Sequence, residues 1–161
     1  MTTVATDGRT IAWDGRIVTQ WGLVLSQDAE KVRIVDGRVY GISGGYAVFD
    51  ALIRWYADDE HDPSKVPPSP DDEPWVLLVC DGGSWVTLSR PMPYPQQAPL
   101  PYAIGAGGDM AIGVMDQGGS PREAVEIVCR RTVVSGGEVR SLDVPTEDQA
   151  TARAAVGKQD G

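Results

Sequence analysis

Residues 2–16 read TTVATDGRTIAWDGR, and residues 31–45 read KVRIVDGRVYGISGG. These two stretches decide the fold. Each carries an Asp-Gly pair, Asp7-Gly8 or Asp36-Gly37, between runs in which apolar residues alternate, and Asp14-Gly15 closes the first run. Asp-Gly readily takes the positive φ angles of a two-residue hairpin turn, so each pattern predicts a hairpin. Thr2–Thr6 is expected to pair with Thr10–Trp13, and Val32–Val35 with Arg38–Ser43, while residues around Ile17–Leu25 supply strand between them. Further on, Asp81-Gly82-Gly83 should join Trp75–Cys80 to Ser84–Leu88 in the same way.

Beyond Gly44-Gly45 the period changes. Val48, Ala51, Leu52 and Trp55 recur at the spacing of one helical face, and the helix should end near Ala57, before Asp58-Asp59-Glu60. His61–Pro74 is rich in proline and acid and reads as an exposed loop; Pro91–Pro101 reads as a second irregular connection. A helix is expected over about Gly108–Gln117. Another starts at Ser120-Pro121-Arg122-Glu123, where the serine caps, proline suits the first helical position and Glu123 reaches back to the cap. Thr132–Val134, Ser135-Gly136-Gly137 and Val139–Val144 are expected to close the sheet. Strands, helix, strands, two helices and strand together predict an α+β sandwich of antiparallel sheets with helices outside, and not a parallel βαβ fold.

The chain has 161 residues, 42% of them hydrophobic and 23% charged, enough for one domain with a core of its own. That domain is expected over residues 1–144, with a polar tail at 145–161 that is disordered or a frayed helix. A net charge of −9 without a basic patch argues against nucleic acid as a partner. No apolar run approaches a membrane span, and the polar N-terminus is no secretory signal. Cys80 and Cys129 have neither metal nor disulfide-framework spacing and read as small buried hydrophobes. The expectation is a soluble cytoplasmic domain.

Familiar catalytic equipment is absent. The single histidine, His61, falls in the acidic loop, so a Ser-His-Asp or Cys-His arrangement is hard to assemble. The carboxylates at 58–62 and 71–73 lack the spacing of a calcium loop and read as solvated surface, so neither metal nor cofactor is implied. Gly105-Ala106-Gly107-Gly108 does not complete a dinucleotide-binding fingerprint, since Met110 stands where the third glycine belongs. The N-terminus remains. With Met1 removed, Thr2 would carry a hydroxyl beside a free α-amine. An α-amine titrates at roughly 7.7–8.0, so one residue would supply both nucleophile and base.

Taken in order, Thr2-Thr3-Val4, Ile11–Arg16, Lys31-Val32-Arg33, Val39–Gly45 leading into a helix, and Ala103–Gly108 resemble the proteasome β subunits and HslV, the bacterial proteasome-like peptidase. The resemblance spans about residues 2–143. It implies a four-layer αββα sandwich, the N-terminal-nucleophile hydrolase fold, with one helical layer reduced because the loop at 61–74 replaces a long second helix. The compact form suits a bacterial or phage member. It implies that Thr2 attacks a peptide carbonyl, Lys31 acts as a cation beside it, Asp14 holds Lys31, and the Gly44 N–H stabilises the oxyanion. Thr19, Gly44 and Gly45 would contact substrate. Ala106 departs from the pattern, standing where the family carries a serine that organises the nucleophile.

Three functions follow from the resemblance. The first is a threonine endopeptidase in a homo-oligomeric ring or double ring, cutting unfolded polypeptide with an ATP-dependent unfoldase as partner. The second is a catalytically silent scaffold or adaptor, favoured by Ala106. The third is an amidase acting on a small molecule.

Overall fold

Alternation along the strands sorts side chains into layers. The computed structural model describes residues 2–159. Its strands are β1 (Val4–Thr6), β2 (Thr10–Asp14), β3 (Ile17–Val18), β4 (Val24–Ser26), β5 (Val32–Val35) and β6 (Arg38–Gly44). They continue with β7 (Trp75–Asp81), β8 (Ser84–Ser89), β9 (Met92–Gln97), β10 (Tyr102–Ile104) and β11 (Val139–Asp143). The helices are α1 (Phe49–Asp58), α2 (Gly108–Asp116), α3 (Pro121–Arg131) and α4 (Glu147–Gln159).

One sheet runs β10-β1-β2-β11 and the other β5-β6-β7-β8-β9, every pair antiparallel. Val4, Ile11 and Trp13 of the first sheet meet Val39, Leu78 and Trp85 of the second, filling the space between the sheets. Their sequence neighbours Ala5 and Ala12 turn the other way and pack on Met115, Val125 and Val128 of α2 and α3. In the second sheet Tyr40, Ile42, Leu77 and Val79 turn outward onto Leu52 and Trp55 of α1. The period of two thus gives each sheet two buried faces. Each large apolar side chain so covered contributes about 1.5–3 kcal/mol. The result is an α+β four-layer αββα sandwich whose layer over the second sheet is reduced to α1.

Local chemistry sets the helix ends. The Ser120 hydroxyl accepts from the Glu123 N–H at 3.1 Å while the Ser120 N–H donates to the Glu123 carboxylate at 2.8 Å, completing the capping box at α3. Such a cap contributes about 1 kcal/mol. α1 begins after the left-handed Gly45 and a 3₁₀ turn, Tyr46–Val48, and runs one residue past Ala57. α4 lies against the β5–β6 turn, where a side chain at Gly37 would overlap the Ala150 carbonyl. No described helix is long and apolar enough to cross a membrane.

Two expectations need correction. The proline cluster from Pro91 is not wholly irregular: Met92–Gln97 is β9, paired with β8 at a shifted register. It lies at the border of its sheet, where residues without an N–H are tolerated. Thr132–Val134 forms no strand; α3 ends there and the chain folds back under β2 before β11 begins. The Ile17–Leu25 region does supply strand, as a separate two-stranded ribbon of β3 and β4.

Candidate active site

Asp14 is the last residue of β2 and wholly buried. Its Oδ1 accepts from the Thr3 N–H at 2.9 Å and from the Lys31 ammonium at 3.1 Å; its Oδ2 accepts from the Gly136 N–H at 3.0 Å. A buried carboxylate demands this saturation, because each unmet lone pair carries a desolvation cost. Lys31, just ahead of β5, is 2% exposed and also donates to the Arg16 carbonyl at 2.6 Å. Burial pushes its amine below the ordinary 10.5, while Asp14 pulls the other way and only partly offsets it.

Thr2 precedes β1 and is 5% exposed. It lines a shallow cleft of about 60 Å³ together with Lys31, Ile42, Gly44, Gly45 and Glu73. Its carbonyl rests on Gly105, where φ is +94° and an added Cβ would overlap that oxygen. Gly105 is therefore required twice, by its backbone angle and by the close approach. Gly107 similarly clears room for the Thr3 side chain at the start of α2. The Thr3 hydroxyl in turn bonds the Ser135 hydroxyl at 2.6 Å. In the same lining, Gly44 ends β6 and Gly45 follows it, with φ of +66° and +46°. The Pro74 carbonyl sits against Gly44, and an added Cβ at Gly45 would lie 2.9 Å from that of Trp75.

Thr2, Lys31, Gly44 and Gly45 thus share one cleft, with Asp14 directly beneath Lys31. Thr19 does not join them. It lies in the β3–β4 turn, where its hydroxyl accepts from the Trp21 and Leu23 N–H groups at 3.3 and 3.1 Å, and the cleft lining ends at Val18. Met1 lies outside the described residues. Ala106 is exposed in the turn that opens α2. The Ser43 hydroxyl approaches the same turn, 3.0 Å from where a Cβ at Gly105 would be. His61 packs against the Tyr56 ring at the end of α1.

Sequence reasoning missed Ser135 and Gly136 as parts of this site, reading them only as sheet closure. A Ser-Gly-Gly step after a helix was the available signal, but nothing local says that it returns to Asp14. It also missed Glu73, which sits in the loop read as mere surface. A roomier groove of about 630 Å³ between α2 and α3 is lined by Met110, Val114 and Ile127, and it holds neither Thr2 nor the buried Asp14–Lys31 pair.

Two stacked antiparallel sheets between helices, with a threonine ahead of β1 and a buried Asp–Lys pair at its side, define the N-terminal-nucleophile hydrolase fold of the proteasome β/HslV kind. Solved structures agree. Eukaryotic HslV from Trypanosoma brucei matches with a TM-score of 0.68 and 18% identity, over 88% of this chain and 98% of that one. BPH from Thiobacillus denitrificans matches with a TM-score of 0.64 and 19% identity, over 90% and 99%. The same protein in complex with epoxomicin gives 0.61 and 16%, over 89% and 98%. At these identities the likeness is one of fold. No protein-family signature matches the sequence, and no curated protein matches it.

Proposed function

We propose that the chain is a threonine-type peptidase that uses Thr2, freed by removal of Met1, to cut unfolded polypeptide inside a homo-oligomeric ring. The observation that carries this reading is the buried Asp14–Lys31 pair at the cleft that Thr2 lines, within a fold shared with HslV. Burying a lysine costs several kcal/mol unless its partner and hydrogen bonds are well placed, so a fold retains one where its charge or proton has a use.

In this mechanism the Thr2 hydroxyl loses its proton to the α-amine, and its oxygen bonds to the scissile carbonyl carbon. The Gly44 N–H stabilises the oxyanion and the Lys31 cation stabilises the developing alkoxide. The C–N bond then breaks, the departing amine takes the proton, and water hydrolyses the resulting ester to restore Thr2. Asp14 positions Lys31, and the Thr3–Ser135 and Asp14–Gly136 bonds hold the floor still. Thr19 contributes through the β3–β4 ribbon, whose turn it stabilises. An ATP-dependent unfoldase would supply polypeptide to the ring.

A second reading, a catalytically silent scaffold, draws support from Ala106, which offers no hydroxyl at the turn opening α2. Hydrolysis of an unfolded protein substrate separates the two. Thr2→Ala should abolish cleavage while circular dichroism and sedimentation match the wild type. Cleavage persisting in that variant removes Thr2 as nucleophile; absence of cleavage in both favours the scaffold.

A further inference from the structure

The loop that stands between α1 and β7 carries Glu73 to the cleft, and its anchoring is unusually dense for an acidic, proline-rich segment. Ser69 is buried and its hydroxyl donates to the Glu73 carbonyl at 2.7 Å, while the Glu73 N–H donates to the Pro70 carbonyl at 2.9 Å. Asp72 pairs with Arg90 at 2.5 Å, and the next carbonyl, that of Pro74, packs on Gly44. The backbone at Glu73 is thus tied on both sides, one residue before the proline whose carbonyl packs on Gly44, a glycine that shares the cleft with Thr2. Its carboxylate is exposed and, among the described residues, pairs with no cation.

Among the described residues, the two cationic side chains of the lining already have partners. Two of the three Lys31 donors serve Asp14 and the Arg16 carbonyl, and its charge serves Thr2 in the proposed mechanism. Arg16 shares the lining, but its Nε donates to the Gln27 side chain at 3.2 Å and its guanidinium lies over Gly136. The charge left unmet at the rim is negative. The lining mixes the apolar side chains of Ile17, Val18, Ile42 and Tyr46 with the polar atoms of Thr2, Lys31 and Glu73. At about 60 Å³ the cleft is too shallow to select by engulfing a side chain, so discrimination falls to groups at its edge. Apolar side chains beside an unpaired carboxylate suit a methylene stem laid across the edge of the cleft, with its cationic head on Glu73.

We propose that Glu73 is a specificity-determining residue that selects polypeptide segments presenting lysine or arginine beside the bond attacked by Thr2. This rests on the peptidase reading above. An excess negative charge on the whole chain draws basic segments toward the cleft, and Glu73 fixes one of them there.

The test uses matched peptide amides that differ at one residue: lysine, arginine, leucine or glutamate. The wild type should turn over the basic peptides about fivefold better than the leucine peptide, the scale of one partly exposed ion pair. The advantage should appear in KM, disappear in Glu73→Gln, and invert toward the glutamate peptide in Glu73→Lys. Thr2-dependent turnover with no basic preference, or a preference that survives Glu73→Gln, overturns this inference and leaves the peptidase reading standing. If no peptide is turned over, fluorescence anisotropy of the same peptides decides. Basic peptides bound preferentially by the wild type but not by Glu73→Gln would uphold Glu73 as a cation-recognising residue while the peptidase reading fails. Absence of that preference would end both.

Discussion

At the floor of the cleft, Asp14 is wholly buried and its two oxygens serve three donors; at the rim, Glu73 is exposed and pairs with no described cation. Both are carboxylates within reach of the same cavity, yet they are held on opposite terms. Asp14 is fixed through its side chain, by bonds to residues from three separate parts of the chain. Glu73 is fixed through its backbone, leaving its side chain unspent. The difference teaches how a small fold divides labour: a saturated charge supports machinery, and an unsaturated one is available to a ligand.

The contrast can be attacked first at the floor. Asp14→Ala leaves the Lys31 ammonium buried without its partner and should cost about 3–5 kcal/mol of stability, read from urea unfolding. The sign of the pH dependence in the wild type follows from Lys31. Its folded pKa is lowered, so the unfolded chain binds more protons between the folded value and 10.5, and Lys31 makes stability rise with pH across that window. Activity that needs the Lys31 cation should fall over the same window, placing the alkaline limb of the rate profile below 10.5. Lys31→Met should lower kcat about 10²–10³-fold, comparable to loss of one preorganised electrostatic group.

Smaller effects are expected where the backbone alone is disturbed. Gly105→Ala forces a Cβ against the Thr2 carbonyl at an unfavourable φ, and should cost about 1–3 kcal/mol and displace the nucleophile. Reduced activity at near-normal assembly would be the signature. At the rim, Arg90→Ala removes only an exposed pair with Asp72 and should change stability by at most about 1 kcal/mol. A loss as large as that of Asp14→Ala would erase the distinction between floor and rim.

Much of the floor was legible in the sequence because its chemistry is local. Asp-Gly turns and alternating apolar residues announced the first hairpin, while the place of Asp14 in the site came from the resemblance to the proteasome β subunits and HslV. The Ser120–Glu123 capping box announced α3. The pairing of Asp14 with Gly136 was not legible, since it spans 122 residues and depends on how two sheets and a helix stack. Thr132–Val134 shows the same limit: three residues of good strand propensity form no strand, because the chain there must return beneath β2. The prolines of β9 misled in the other direction, since nothing in the sequence says that this strand lies at a sheet border. Glu73 escaped notice for a third reason: in a run of acids, only the loop's anchoring distinguishes the one that meets the cleft.

The most direct measurement is intact-protein mass spectrometry before and after exposure to epoxomicin, the compound bound in one BPH structure. The expected result is a chain lacking Met1 that gains a single covalent adduct, with none on Thr2→Ala. A chain that keeps Met1, or a freed Thr2 that takes no adduct, would contradict it and leave the silent scaffold as the function of this fold.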